Sequence, residues 1–260
     1  MKSTYSLALM LAAGTTLITG ASLYASETDD RIVSSAKKSY VFKTYLSGDS
    51  ITTESKDGVV TLTGTVTEGY HKFLARDTVA GLPGVKSVDN QLKVKDGAPA
   101  EYSDGWLATK VKSVLLFHRN VKCKGTAVSV DNGIATLRGE ASSMAQKELT
   151  AEYAKDIKGI KEVKNEMTVA AAPAPVVETI IEAIDDASIT AQVKFALMSH
   201  LSTNAVKTEV ETVAGVVTLS GFARNAAEKS LVTKLASDIN GVSKVINNMT
   251  IEVKAASISN

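Results

Sequence analysis

Apolar side chains recur along this chain first at a spacing of four, then at a spacing of two, and the whole alternation runs three times. In the first pass Ile32, Ala36 and Tyr40 share a helical face, and Tyr70, Leu74 and Thr78 share another. Between them lie two short runs, near 51–55 and 59–66, whose β-branched residues favour strands. Val88, Asn90, Leu92 and Val94 then alternate as a half-buried strand does. The second pass has Leu107, Val111 and Leu115, then Val128 and Val130, then Ala145, Leu149 and Tyr153, then Val163, Asn165, Met167 and Val169. The third has Ile189, Val193, Leu197 and Leu201, then Val206, Thr208, Val210 and Thr212. Ala227, Leu231 and Leu235 follow, and Val245, Asn247, Met249, Ile251 and Val253 close it. Each pass predicts helix, strand, strand, helix, strand.

Two short blocks lock the passes together. Residues 58–64 read GVVTLTG and return as GIATLRG at 133–139 and GVVTLSG at 215–221. A second block, opened by Gly84, Gly159 or Gly241 and ending in Asn90, Asn165 or Asn247, starts 26 residues later each time. A constant offset means one small fold used three times. Asp57-Gly58 and Asn132-Gly133 are hairpin-turn signals, because such turns need positive φ, and Ala214-Gly215 is a weaker version. Gly64, Gly139 and Gly221 sit on the inward face of their strands. There a missing side chain admits another backbone, expected to be that of the next helix. Gly58, Gly133 and Gly215 belong to the turns themselves. By alternation Asn90, Asn165 and Asn247 also point inward and need partners, expected at a turn or strand end. The strand–helix–strand half crosses over right-handedly. The fold class is therefore α+β: three tandem αββαβ domains, each a three-stranded mixed sheet with two helices on one face.

The expected boundaries are 29–96, 103–169 and 185–254. A unit of about 70 residues buries only roughly 60% of its unfolded surface, so mutual packing of the three is expected. Repeat one has a weak first strand and carries Lys37, Lys38 and Ser39 inside its helix. Residues 170–184 hold a Pro/Ala linker with Pro173 and Pro175, followed by a helical stripe of Val177, Ile180, Ile181 and Ile184. The short connection between repeats one and two predicts tight coupling there, with the hinge between repeats two and three. Residues 1–25 have a lysine start, an apolar run and small residues, the layout of a secretory signal peptide. The product is expected to be exported to the periplasm, soluble or peripherally membrane-associated.

Net charge is +1 in 260 residues, which does not mark a nucleic-acid binder. The lone Cys123 makes no internal disulfide. His71, His118 and His200 are scattered, with no ligand partners at metal spacing, and no nucleophile elbow or zinc-protease motif occurs. No catalytic residue, metal or cofactor is expected, and the chain is read as non-enzymatic. Repeats one and three balance their charges, but repeat two has eleven basic and nine acidic residues over 101–169. Its surplus lies in 105–130, which contains no Asp or Glu. That run supplies Trp106, Lys110, Lys112, Phe117, His118, Arg119, Lys122 and Lys124. Bases interleaved with aromatics suit an anionic lipid interface, charges meeting headgroups and rings sitting at the apolar boundary.

The two glycine blocks, with the helix start at 185–194 (DDASITAQVK), resemble BON domains, and the chain with its leader resembles the osmotically inducible periplasmic protein Y family. The best-known member of that family has two such domains and this chain has three. The resemblance implies an exported, non-enzymatic module for envelope integrity under osmotic stress, with association to phospholipid. It also implies, as the alternative, a periplasmic chaperone for unfolded outer-membrane or secreted proteins.

Overall fold

The computed structural model describes residues 19–121, 125–170, 183–203 and 207–252. Repeat one is built from α1 (Thr19–Lys38), a short α2 (Tyr40–Thr44), β1 (Ser50–Lys56), β2 (Val59–Val66), α3 (Gly69–Ala80), β3 (Ser87–Asn90) and β4 (Lys93–Val94). Repeat two follows with α4 (Asp104–Phe117), β5 (Ala127–Asp131), β6 (Ile134–Arg138), β7 (Glu140–Ala141), α5 (Met144–Lys155), β8 (Glu162–Asn165) and β9 (Thr168–Val169). Repeat three has α6 (Asp186–Ser199), β10 (Thr208–Val213), β11 (Val216–Ala223), α7 (Ala226–Ser237), β12 (Lys244–Asn247) and β13 (Thr250–Ile251). In each, the middle strand pairs antiparallel with its hairpin partner and parallel with the last strand. Leu62, Leu137 and Leu219 face Asn90, Asn165 and Asn247 across the parallel pair. The expected mixed sheet is present three times, in one register.

The turns carry the positive φ that their sequences demand. Asp57, Asn132 and Ala214 lie at φ 54, 50 and 50, each before a glycine at 74–80. An aspartate of the first helix holds each turn from above; Asp104 and Asp186 open α4 and α6, and Asp29 lies midway along α1. Asp29 accepts the N–H groups of Asp57 (2.8 Å) and Gly58 (3.0 Å). Asp104 accepts those of Asn132 (2.7 Å) and Gly133 (2.9 Å). Asp186 accepts those of Ala214 and Gly215, both at 2.8 Å. Both carboxylate oxygens are used, so the first helix is pinned to the hairpin tip by charge-assisted bonds. Ser55 adds a hydroxyl bond to Asp29, and these bonds hold the Asp29 carboxyl below the usual carboxylate range.

The strand glycines answer to a different neighbour than expected. Gly64, Gly139 and Gly221 have φ 114, 133 and 106, and a Cβ there would strike the backbone carbonyl of Ser50, Gly125 or Lys207. The close backbone is the start of the hairpin's first strand, not the following helix. The asparagines tie the last strand to the second helix. Asn90, Asn165 and Asn247 donate to the carbonyls of Lys72, Lys147 and Lys229 at 2.9, 2.7 and 3.0 Å. Their Oδ1 atoms accept from the N–H of Leu92, Met167 and Met249. That local bond replaces a ladder bond, and it breaks the last strand into two pieces.

Repeat one departs from its sequence reading in two places. Its first strand is seven residues long and fully paired with β2. Its first helix breaks at Ser39, where a new helix start leaves N–H groups without helical partners. Those of Tyr40 and Val41 are taken by Asp185 Oδ2 (2.7 Å) and Ser188 Oγ (3.0 Å) of repeat three.

Repeat three, not repeat two, is the centre of the molecule. Eleven of the fourteen residues of α6 are buried. Ile189, Val193 and Leu197 face their own sheet as the periodicity required, whereas Leu201 is exposed. The opposite face lies on α3, where Gly81 lets the two helices meet at Ala187. Phe195 collects aromatic rings from the other two repeats: Tyr70 at 5.4 Å, Phe73 at 5.9 Å and Phe117 at 5.5 Å between centroids. Phe117 in turn meets Tyr45 at 4.9 Å. Repeats two and three also share backbone bonds, from Arg119 to Asp238, Asn240 to Phe117 and Leu201 to Asp156. The expectation of loose coupling between repeats two and three is therefore overturned. Of the 170–184 segment, residues 171–182 fall outside the described residues. This leaves the expected hinge and most of the aliphatic stripe without a structural account.

Two stability effects follow. Asp104→Ala and Asp186→Ala each remove two charge-assisted bonds from an otherwise open turn and should cost about 2 kcal/mol in urea denaturation. Phe195→Ala should cost about 3–5 kcal/mol by cavity formation. It should also split a single unfolding transition into two, because the lost ring is the one that all three repeats touch.

Candidate functional site

α4 begins with Ser103, whose Oγ accepts the Trp106 N–H at 3.3 Å. One turn on, Lys110 lies on the same helical face, and its Nζ sits 4.8 Å from the indole centroid, a cation–π distance. Tyr102 flanks the indole at 5.1 Å. Trp106 and Lys110 form one wall of a cleft of about 580 Å³. Glu68, Tyr70 and Phe73 of repeat one make the opposite wall, Phe195 and Met198 of α6 the third side, and residues 94–101 the rim. All three repeats contribute, and the volume is that of a pocket for one small ligand.

Two charged groups are partly withdrawn from water here. Burial pushes the Lys110 ammonium down, with Lys158 acting in the same direction and Glu101 opposing. Burial pushes the Glu68 carboxyl up, against the pull of His71 and Lys112. The cleft thus offers apolar and aromatic walls with Lys110 and Glu68 among them, and Lys95, Asp96 and Glu101 along its rim.

The eight residues of the basic–aromatic run are not brought together. Trp106 and Lys110 meet, and Lys112 is exposed on the same helix. Phe117 and His118 are buried in the body of the molecule, at 0% and 2% exposure. The Arg119 guanidinium donates to the carbonyls of Ile239 (2.7 Å) and Val242 (2.5 Å) in repeat three. The reason is helical geometry. The run crosses the C-terminal end of α4, which turns into the neighbouring repeat, so Phe117, His118 and Arg119 build an internal joint instead of an outer surface. Lys122 and Lys124 lie outside the described residues, as does Cys123. The recurrent glycines and asparagines are taken up by turns, close backbones, strand ends and the second helix of each repeat. Among the described residues no group of three or more His, Cys, Asp or Glu side chains could hold a metal ion.

The turn-holding aspartates were missed as a set in the sequence, although each stands 29 residues before the turn glycine. Glu68, Tyr70, Phe73, Phe195 and Met198 carry no local signal for a shared cleft.

The repeat geometry has a direct match among known families. The BON domain matches residues 28–96, 103–171 and 185–253. The chain belongs to the BON domain family. Among characterised relatives it is similar to the osmotically-inducible protein Y of Escherichia coli strain K12, 30% identical over 146 residues, 56% of this chain and 71% of that one. It is similar to the outer membrane lipoprotein DolP of Haemophilus influenzae, 34% identical over 111 residues, and to the 21 kDa hemolysin of Actinobacillus pleuropneumoniae, 33% identical over 91 residues. These alignments span 57% and 46% of those proteins, and 42% and 34% of this chain. Among the described residues no helix of this BON protein is long and apolar enough to cross a membrane.

Proposed function

We propose that this BON protein is an exported envelope protein that associates peripherally with anionic phospholipid surfaces and supports the envelope under osmotic stress. The observation that carries the reading is the Trp106–Lys110 pair in one wall of the cleft, with exposed Lys112 on the same helix, in a stretch free of acidic residues. An indole at an apolar boundary with an ammonium over its face is suited to the headgroup level of a bilayer. Relatives named for osmotic induction and for the outer membrane support the compartment. Each basic side chain near an anionic surface contributes about 1 kcal/mol, so binding through a few of them is weak and salt-sensitive.

Trp106 is the single tryptophan, so its emission reports this contact directly. Vesicles rich in phosphatidylglycerol should sediment the protein and shift Trp106 emission to the blue. Purely zwitterionic vesicles should do neither. Lys110→Glu/Lys112→Glu should lose the binding while keeping its thermal midpoint. Undiminished sedimentation of that variant would remove the contact from α4.

The cleft favours a second reading, as a chaperone for unfolded envelope proteins. Aromatic and methionine side chains lining one concavity suit adaptable apolar recognition. In a lipid-free assay, excess protein should suppress aggregation of an unfolded outer-membrane protein, and Met198→Glu should weaken that effect several-fold. Aggregation unaffected by excess wild-type protein would rule this reading out.

A further inference from the structure

Repeats two and three meet in a joint with internal pseudo-two-fold symmetry. Their equivalent positions are 82 residues apart, as Gly133 and Gly215 are. His118, at the end of α4, bridges to Ile239 beyond α7. His200, its equivalent at the end of α6, bridges to Ile157 beyond α5, and Ile157 is the equivalent of Ile239. The backbone is symmetric, but the chemistry is not. His200 Nε2 is 2.9 Å from Asp156 Oδ2, and its Nδ1 accepts the Ser202 N–H at 3.1 Å. His118 is 2% exposed, and neither of its ring nitrogens has a hydrogen-bond partner.

One substitution between the repeats accounts for the difference. Asp238 is the equivalent of Asp156 and is the acid that His118 would be expected to use. Its Oδ2 instead accepts the Tyr153 hydroxyl at 2.5 Å. The position equivalent to Tyr153 in repeat three is Leu235, which has no hydroxyl, so Asp156 stays free for His200. The Tyr153 ring meanwhile lies flat on the His118 imidazole, 3.8 Å between centroids and 11° between planes. An orphaned buried imidazole is a cost that an apolar ring of the same shape would avoid.

We propose that this half of the joint is an acid-sensitive latch. It is closed while His118 is neutral and stacked on Tyr153, and it is released when the ring is protonated. The groups facing the imidazole are Tyr153 from α5, Asp238 from the end of α7, and His200 with Asp156 from the other half. Burial pushes the ring down to about 4 in the closed joint, with His200 acting in the same direction, against the pull of the Asp238 carboxylate and of the Asp238 backbone carbonyl. Released into water it returns to its ordinary 6.5. Because the closed state has the lower value, closure is complete above 6.5 and weakens as pH falls toward 4. Between pH 8 and pH 5 the opening equilibrium constant rises about thirty-fold from this one group. Opening uncovers a surface that is apolar and buried in the closed molecule, made of Tyr153, Ile157 and Ile239.

Amide exchange by NMR on the full chain reads the latch directly. The N–H groups of Arg119 and Asn240 bond across the joint, to Asp238 and Phe117. After correction for intrinsic rates, their protection should fall about thirty-fold from pH 8 to pH 5, while amides of β11 keep theirs. Tyr153→Phe keeps the stacked ring and frees Asp238 for His118, so the acid dependence should vanish or reverse. His118→Phe should abolish it. The ring-nitrogen shifts of wild-type His118 should stay those of a neutral imidazole down to about pH 5, a reading that needs no variant to fold. A folded-state titration near 6.5, an unchanged pH dependence in Tyr153→Phe, or parallel loss of protection in β11 would each overturn the latch.

Discussion

The arrangement depends on the burial of one helix on two opposite faces. A BON repeat of this size uses one face of its first helix to cover its own sheet and leaves the other face to water or to a neighbour. In α6 that other face is also apolar, and Phe195 projects from it into rings of both remaining repeats. Repeat three therefore supplies core to repeats one and two as well as to itself. This offsets the weakness of units that each bury too little surface alone. The broken first helix of repeat one fits the same constraint: its second segment turns to dock on the start of α6, where Asp185 and Ser188 receive the N–H groups exposed by the break.

Within each unit the equivalent constraint is the aspartate that joins the first helix to the hairpin turn. The turn needs left-handed backbone at two successive residues, and its N–H groups then point out of the sheet with no strand to receive them. A carboxylate of the first helix takes both. That bond also fixes the position of the helix relative to the sheet. Ala214 can therefore occupy a position better suited to Asn or Asp, its N–H being held by Asp186 at 2.8 Å.

Between repeats two and three the copied backbone serves two different chemistries. His200 sits beside a free carboxylate, and His118 beside one already engaged by a tyrosine. The same residues explain why the basic–aromatic run does not form a single surface. Its first part, around Trp106 and Lys110, opens on the cleft. Its last described part is consumed by the joint. The cleft is accordingly made by three repeats and not by one helix.

The sequence alone determined the unit, its number and its element order, because those rest on local periodicity, on glycine backbone freedom and on constant offsets. It determined the turns at Asp57, Asn132 and Ala214 for the same reason. It also held the turn-binding aspartates in plain spacing, 29 residues before each turn glycine, where they were legible but went unread. Only the tertiary structure decided which backbone approaches Gly64, Gly139 and Gly221, since alternation gives a face but not a neighbour. Only it decided that Phe117, His118 and Arg119 turn inward, because a charge run names its residues and not the side of the helix that meets another domain. Contacts between repeats join positions far apart along the chain, such as Arg119 and Val242. No local pattern encodes them, since each depends on how three separately folded surfaces fit.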